Sequence, residues 1–478
     1  MHLTRLLCKF LLETEFNDIP LEVIEKAKER LLDTLGVIAA GAVEPGAAGG
    51  IAIELTKEMG GTPTSTVIGG GFKTSSPNAA FANGTCAASL EYDDASTHTV
   101  CHYSGVLVPA LFAVAEETRA SGKELLAAYV LGWEIGTRIG LCMGGTYFFD
   151  RGFHPVGTWP CLGSAAASAK LLNCDLDQTR MALGIAASAA GSIRRQYGTH
   201  TKPLHSGCAA RNGIVAAKLA GKGFTAHGDI LDPDPKAPAK SHMSFSFPVV
   251  FSGEGKYDLD KLSHELGKSY NLIVQPVTTH FYPGATGTAV FIELAINMMK
   301  KHSFTAKDVE KVEVKATRDW ITGMALYLSP QTSDQARFSG NCQIAVALLD
   351  GKVGIEQLRE ERIHSDDVQS MMRKVFISEL EGSEELTKKI WETGDVTKSG
   401  LGELTIRLRD GREFSEQGEQ PKGSGELPVS LDDLIEKYKY CSSRVLSESD
   451  VERSIEAIMG LEKLPDISEL MGMMKGKG

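Results

Sequence analysis

The sequence predicts a two-domain protein: a large all-α helical domain formed by both chain ends (1–268 and 427–478), and a smaller α+β domain inserted over 269–426. Three observations predict it. Apolar residues recur at helical spacing through the first half of the chain; the pattern then changes to strand-like alternation; helical spacing returns from Leu431. A chain of 478 residues is also too long for one ordinary core.

The elements follow in order. MHLTRLLCKFLLETEF has a short apolar run, an early Glu13 and no small-residue cleavage site, so it reads as an amphipathic first helix rather than a signal peptide. In IPLEVIEKAKERLLDTLGVIAAG (19–41), Pro20 stands near the first turn, and Val23, Ile24, Ala27, Leu31, Leu35 and Ile38 form one apolar face. GGTPTSTVIGGGFKTS (60–75) is a glycine-rich turn and no phosphate loop, because Phe72 separates Gly71 from Lys73. Ser121 and Glu124 form a capping box ahead of 122–140. The stretches 157–174 and 177–193 are almost all small residues, as in helices that cross closely at the centre of a bundle. After residue 265, KDVEKVEVKA (307–316) ends in alternation, and GELTIRLRDGREFSEQ (402–417) alternates around Asp410-Gly411, a hairpin signal. Helical runs at 341–350 and 365–374 lie between them. The segment 416–428 reads as a Gly/Pro-rich exit linker, the tail from Leu431 as a helical return to the first domain, and the final GMMKGKG as frayed.

Composition narrows the function classes. A formal net charge of −11 argues against nucleic acid as a partner, and an anionic substrate would need a local cationic pocket. No uninterrupted apolar run is long enough for a bilayer, so no membrane partner is expected. Nine cysteines without a CxxC pair read as free thiols in a reducing, cytoplasmic compartment, with no zinc or cluster spacing and no cofactor expected.

Three loops at helix boundaries carry proton-handling side chains. LEYDDASTHTVCHYSG (90–105) groups Glu91, Asp93, Asp94, His98 and His102: either a solvated loop, or a place where a carboxylate orients an imidazole. FFDRGFHPVGT (148–158) presents His154. GTHTKPLHSGCAARNG (198–213) carries Lys202 and His205 just where Pro203 suits a first helical turn, with Arg194 and Arg195 upstream. A cation at a helix N-terminus is unfavourable unless something negative sits beside it.

These blocks, with LLDTLGVIAAG, GFTA after the lysine motif and FSGNCQIAVALLDG, resemble the MmgE/PrpD family in sequence and order over about residues 5–460. The family includes 2-methylcitrate dehydratase, cis-aconitate decarboxylase and iminodisuccinate epimerase. The resemblance implies that the inserted domain is a lid, that the protein is a homodimer, and that it does metal-free chemistry on a carbon next to a carboxylate. It carries active-site roles onto His102, His154 and Lys202. Departures from the pattern concern the rest. Ala95 replaces a threonine, so that Ser96 supplies the hydroxyl after a one-residue shift. A lid lysine becomes His280, a histidine becomes Ala285, and a tyrosine falls near Cys342.

The expectation is therefore a cofactor-free lyase, favouring a dehydratase of a small hydroxy-di- or tricarboxylate, with 2-methylcitrate itself disfavoured by the thinner lid. Lys202, His102, His154 and Tyr147 are the catalytic candidates. Asp93, Ser96, Arg194, Arg195, His205, His280 and Cys342 are the substrate-binding ones. Two other readings stand beside it: a dicarboxylate epimerase or racemase using Lys202 with His102 or Tyr147 as opposed bases, and a non-catalytic binding protein on the same scaffold.

Overall fold

In the computed structural model, the described residues are 2–144, 148, 151–234, 245–385, 402–425 and 427–476. The chain is mostly helical, with a small sheet towards its C-terminal end. Its longer helices are α1 (Leu3–Glu13), α2 (Leu21–Val43), α3 (Ala48–Met59), α4 (Ser76–Ala88), α5 (Ser104–Thr118), α6 (Gly122–Cys142), α7 (Trp159–Leu171), α8 (Leu176–Ala189), α9 (Thr201–Gly221), α10 (Thr286–His302), α11 (Gly340–Asp350), α12 (Asp366–Met372), α13 (Leu431–Ser442), α14 (Glu448–Met459) and α15 (Ser468–Met474).

Sequence periodicity explains most of them. The α2 residues named above for its apolar face are all buried, and the Ser121–Glu124 capping box starts α6 as expected. α6 is long and apolar enough to cross a membrane, but 94% of its apolar window is buried within the fold. Small residues let helices cross at backbone distance. A Cβ on Gly163 of α7 would lie 2.7 Å from the Gly132 carbonyl oxygen of α6. One on Gly207 of α9 would lie 2.3 Å from the Phe81 carbonyl oxygen of α4.

Residues from both chain ends build the first core, from Leu7 to Val277 and again from Leu434 to Met474. Tyr438 of α13 packs against Gly36 of α2, so the tail does return onto the helices. A second core runs from Phe291 to Leu408. Two short strand pairs, β1 (Ser65–Thr66) with β2 (Lys73–Thr74) and β3 (Ala95–Ser96) with β4 (Val277–Thr278), precede it in the chain. It lies under a four-stranded sheet of β5 (Val309–Ala316), β6 (Val375–Glu379), β7 (Gly402–Leu408) and β8 (Glu413–Gly418), in the order β6-β5-β7-β8. The β5–β6 pair is parallel and the others antiparallel. The expected hairpin is β7–β8, with Gly411 at φ +90° in its turn. The 60–75 stretch is a short hairpin, Ser65–Thr66 against Lys73–Thr74.

Two local expectations are corrected. Gly69 and Gly71 donate to the Met474 and Lys475 carbonyls, so the tail is held through Lys475 rather than frayed, and 477–478 lie outside the described residues. The stretch 416–428 is no free linker. It begins inside β8, and Gly423 accepts a hydrogen bond from the Thr279 amide at 2.8 Å. Ala95 and Ser96 pair with Thr278 and Val277, which sets residues 279–280 beside the acidic loop.

Candidate active site

The site is built where the three loops converge beneath residues 279–286. Lys202 is the second residue of α9, only 3% exposed, and its Nζ is bonded to Glu91 Oε1. That pairing resolves the problem of a cation at a helix start: the anion comes from the acidic loop, 111 residues earlier in the chain. Glu91 sits at φ +50°, a left-handed conformation that costs a non-glycine residue energy. Its backbone carbonyl accepts from the Gly284 amide at 2.9 Å.

The acidic loop is buried, not solvated: Asp93 and Asp94 are fully enclosed. His102 Nδ1 lies 3.3 Å from Asp93 Oδ2. Burial opposes the imidazolium, but the Asp93 charge outweighs it and raises the pKa of His102. Burial likewise opposes ionisation of Asp93, yet His102, with help from Lys202, holds its carboxyl below the ordinary range. The two shifts agree on an imidazolium–carboxylate pair. Asp94, bonded to Ser104, is pushed up to about 6, chiefly by burial.

His154, His205 and His280 are the neutral imidazoles of the centre. His154 and His205 meet through their Nδ1 atoms at 2.8 Å, so one must donate and the other accept. Burial first, then the Lys202 charge, holds His154 well below the usual histidine value and brings His205 to about 4. His280 is 5% exposed, 5.9 Å from the His102 ring, and its Nε2 meets Thr286 Oγ1 at 2.7 Å. Burial and the neighbouring His102 bring it to about 3. A substrate carboxylate therefore meets a neutral His280 between pH 6 and 8, not the titrating charge an ordinary imidazole would bring.

Buried polar atoms without a protein partner gather here: both Asp93 oxygens apart from the His102 contact, His154 Nε2, His280 Nδ1 and the Ser206 hydroxyl. Such groups are costly to bury unless something polar answers them.

Other expected residues fall differently. Ser96 is buried, and its Oγ accepts from the Thr99 hydroxyl at 3.0 Å. Arg194 is half-buried and acts electrostatically on His154 and Tyr197. Arg195, next along the same 3-10 turn, is exposed and is not part of the centre. Cys342 is also corrected. At the start of α11 its side chain turns into the second core, fully buried, with its thiol pushed up to about 12 by burial. Tyr147 lies outside the described residues.

Some contributors were missed. Tyr197 stands edge-on to His154 at 5.2 Å, stacks on Phe338 at 5.2 Å, and has Lys202 Nζ 5.7 Å from its ring. Its position between the arginines and the lysine motif was the only available signal. Lys437 of α13 reaches Asp33 Oδ1 at 2.6 Å and the Tyr92 carbonyl at 2.8 Å, so it pins the residue between Glu91 and Asp93. Among the described residues, no three His, Cys, Asp or Glu side chains gather as a metal site.

The MmgE/PrpD N-terminal domain matches residues 5–236, and the MmgE/PrpD C-terminal domain matches residues 282–463. Curated relatives include the cis-aconitate decarboxylases of Homo sapiens (29% identical, covering 95% of this chain and 90% of the relative) and Mus musculus (27%, covering 95% and 89%). That of Aspergillus terreus is 26% identical, covering 98% of this chain and 95% of the relative. With both domains matched across most of its length, the chain belongs to the MmgE/PrpD family.

Proposed function

We propose that this chain is a lyase that protonates a carbon next to a carboxylate in a small unsaturated polycarboxylic acid, with carbon dioxide rather than water as the leaving group. The observation that carries this is the His102–Asp93 pair, a buried imidazole whose proton-bearing form the carboxylate 3.3 Å away favours. Removing water from a hydroxy acid needs a base strong enough for a weak carbon acid. Among the described residues the free imidazoles are poor bases, because His154, His205 and His280 all have lowered pKa values. Decarboxylation makes no such demand. The C–C bond breaks, its electron pair moves into an adjoining C=C–carboxylate unit, and the resulting carbanion takes one proton from His102. Lys202, fixed by Glu91, holds the carboxylate on which negative charge accumulates. The relatives' name, cis-aconitate decarboxylase, supports the same class.

The substrate carries fewer charges than citrate. Lys202 and His102 are balanced by Glu91 and Asp93, and the neutral His280 adds none. A dicarboxylate is therefore preferred over a tricarboxylate. The inserted portion, 269–426, acts as a lid over this centre. The protein is cytoplasmic and works as a homodimer, for which the exposed α3 stripe Ile51, Leu55 and Met59 offers an apolar face; light scattering in solution reads the mass.

Proton NMR in deuterated water, in the presence of EDTA, tests the reaction on unsaturated and hydroxylated mono-, di- and tricarboxylates. The expected result is bicarbonate release with one deuterium retained at the carbon next to a carboxylate. Loss of water alone would return the assignment to the dehydratase, and exchange without conversion to the epimerase. Silence across the panel, or activity abolished by EDTA, would overturn it.

A further inference from the structure

Residues 277–279, which lead into His280, also line a cavity of 520 Å³, within the range of small-molecule sites. One side is α2, with Lys26, Glu29 and Arg30. The other is the chain from Leu272 to Thr279, and Gly423, Ser424, Gly425, Pro428 and Val429 close the end. Arg30 is the unusual member. It is 8% exposed, its guanidinium bonds to the Thr279 hydroxyl at 2.5 Å, and its Nε has no partner among the described residues. Among the described residues, no carboxylate comes within ion-pair distance of it. Asp94 feels its charge only through space. Among the described residues of the cavity wall the one carboxylate is Glu29, and it is taken by Lys26 at 2.5 Å. His98, also on the wall, is bonded to Gln275. A buried guanidinium with no paired anion is costly, and an anionic ligand would relieve the cost.

From this we infer that the cavity is a second carboxylate site, in which Arg30 takes the carboxylate of a small organic acid and the apolar wall of Leu272, Val277 and Val429 takes its carbon chain. The site is distinct from the catalytic centre yet coupled to it. Thr279 rests on Arg30, while the next residue, His280, rests against His102 and Thr286. An anion that draws Arg30 off the Thr279 hydroxyl shifts the strand that carries His280, so occupancy changes catalysis without displacing substrate.

Isothermal titration with butyrate, succinate and inorganic phosphate tests this on the full chain. The double variant Lys202→Met/Glu91→Gln disables the catalytic centre, so binding at Arg30 is read independently of the proposed reaction. One carboxylate per chain is expected to bind both the wild type and that variant, at least tenfold more weakly to Arg30→Met, with partial recovery in Arg30→Lys. Butyrate is expected to outcompete phosphate because only it has a chain for the apolar wall. Crystals of the wild type soaked in bromide give a reading that needs no variant: an anomalous peak beside the Arg30 guanidinium. Affinity unchanged by Arg30→Met, binding that vanishes with the Lys202 lesion, or no bromide at Arg30 would each overturn the inference.

Discussion

Lys202, at 3% exposure and bonded to a Glu91 that is 5% exposed, does not tolerate replacement. Lys202→Met removes the cation and strands a carboxylate in the interior. Breaking a buried ion pair from one side typically costs about 3–5 kcal/mol, whereas removing both charges is close to neutral. Three proteins therefore separate structure from chemistry: Lys202→Met, Glu91→Gln and the double variant. In denaturant titrations each single variant loses about 3–5 kcal/mol, and the double variant regains most of it. Turnover behaves otherwise. It falls at least ~100-fold in Lys202→Met, as for the loss of a charge-stabilising group, and stays there in the double variant. Near-normal turnover in the stable double variant would show that Lys202 serves only to neutralise Glu91. Full stability in the single variants would show that the pair is not buried in solution.

Asp93→Asn leaves burial and Lys202 both working against the His102 imidazolium, so the alkaline limb of kcat against pH moves to lower pH. At neutral pH the rate drops by about 10²–10⁴-fold, the usual contribution of a positioned acid. In the wild type the His102 part of this pair's stabilisation is complete below the ordinary histidine pKa, and is lost as pH rises through the raised one. The Asp93 part is present above the ordinary carboxylate pKa and is lost as pH falls through the lowered one; denaturation midpoints against pH read both. His280, at about 3, contributes no change in KM between pH 6 and 8, and His280→Lys improves KM for tricarboxylates relative to dicarboxylates. A KM that rises over that range in wild type and is flattened by the substitution would restore the titrating imidazole. Lys437→Met/Asp33→Asn, which removes a buried charge pair without stranding either partner, leaves a folded protein whose kcat falls more than its KM changes; circular dichroism with steady-state kinetics checks both. Gly207→Ala drives a methyl into the Phe81 carbonyl and the Thr85 hydroxyl, each 2.3 Å from its Cβ, and costs about 1–3 kcal/mol in thermal or chemical melts.

What was legible follows from how far each signal reaches along the chain. The α2 face, the α6 capping box and the β7–β8 hairpin depend on residues within a few positions of each other, and each was readable. His102, His154 and Lys202 were readable as motif positions, and they do converge. Their partners were not all so readable. Tyr92 and Lys437 stand 345 residues apart, and nothing near Lys437 distinguishes it from the solvent-facing lysines that helices commonly carry. Cys342 shows the converse failure. Motif spacing located it along the chain, but not the direction of its side chain, and the rotation of α11 sends it into the second core.

The acidic loop explains why an unpaired-looking cation motif can be stable. A lysine in the first turn of a helix works against the helix dipole, so the sequence 198–213 by itself is an electrostatic conflict. The conflict is relieved by a residue that carries strain of its own: Glu91 at φ +50°, two positions before the aspartate that orients His102. Lys437 holds the carbonyl between those two carboxylates, and the Gly284 amide holds the Glu91 carbonyl from the opposite side. Lys202 and His102 thus depend on one short backbone segment, gripped by the tail helix and by the turn that leads into α10. A displacement of either grip moves the ammonium and the imidazolium together. Mutations in the C-terminal tail should for this reason reduce turnover while every catalytic side chain remains in place.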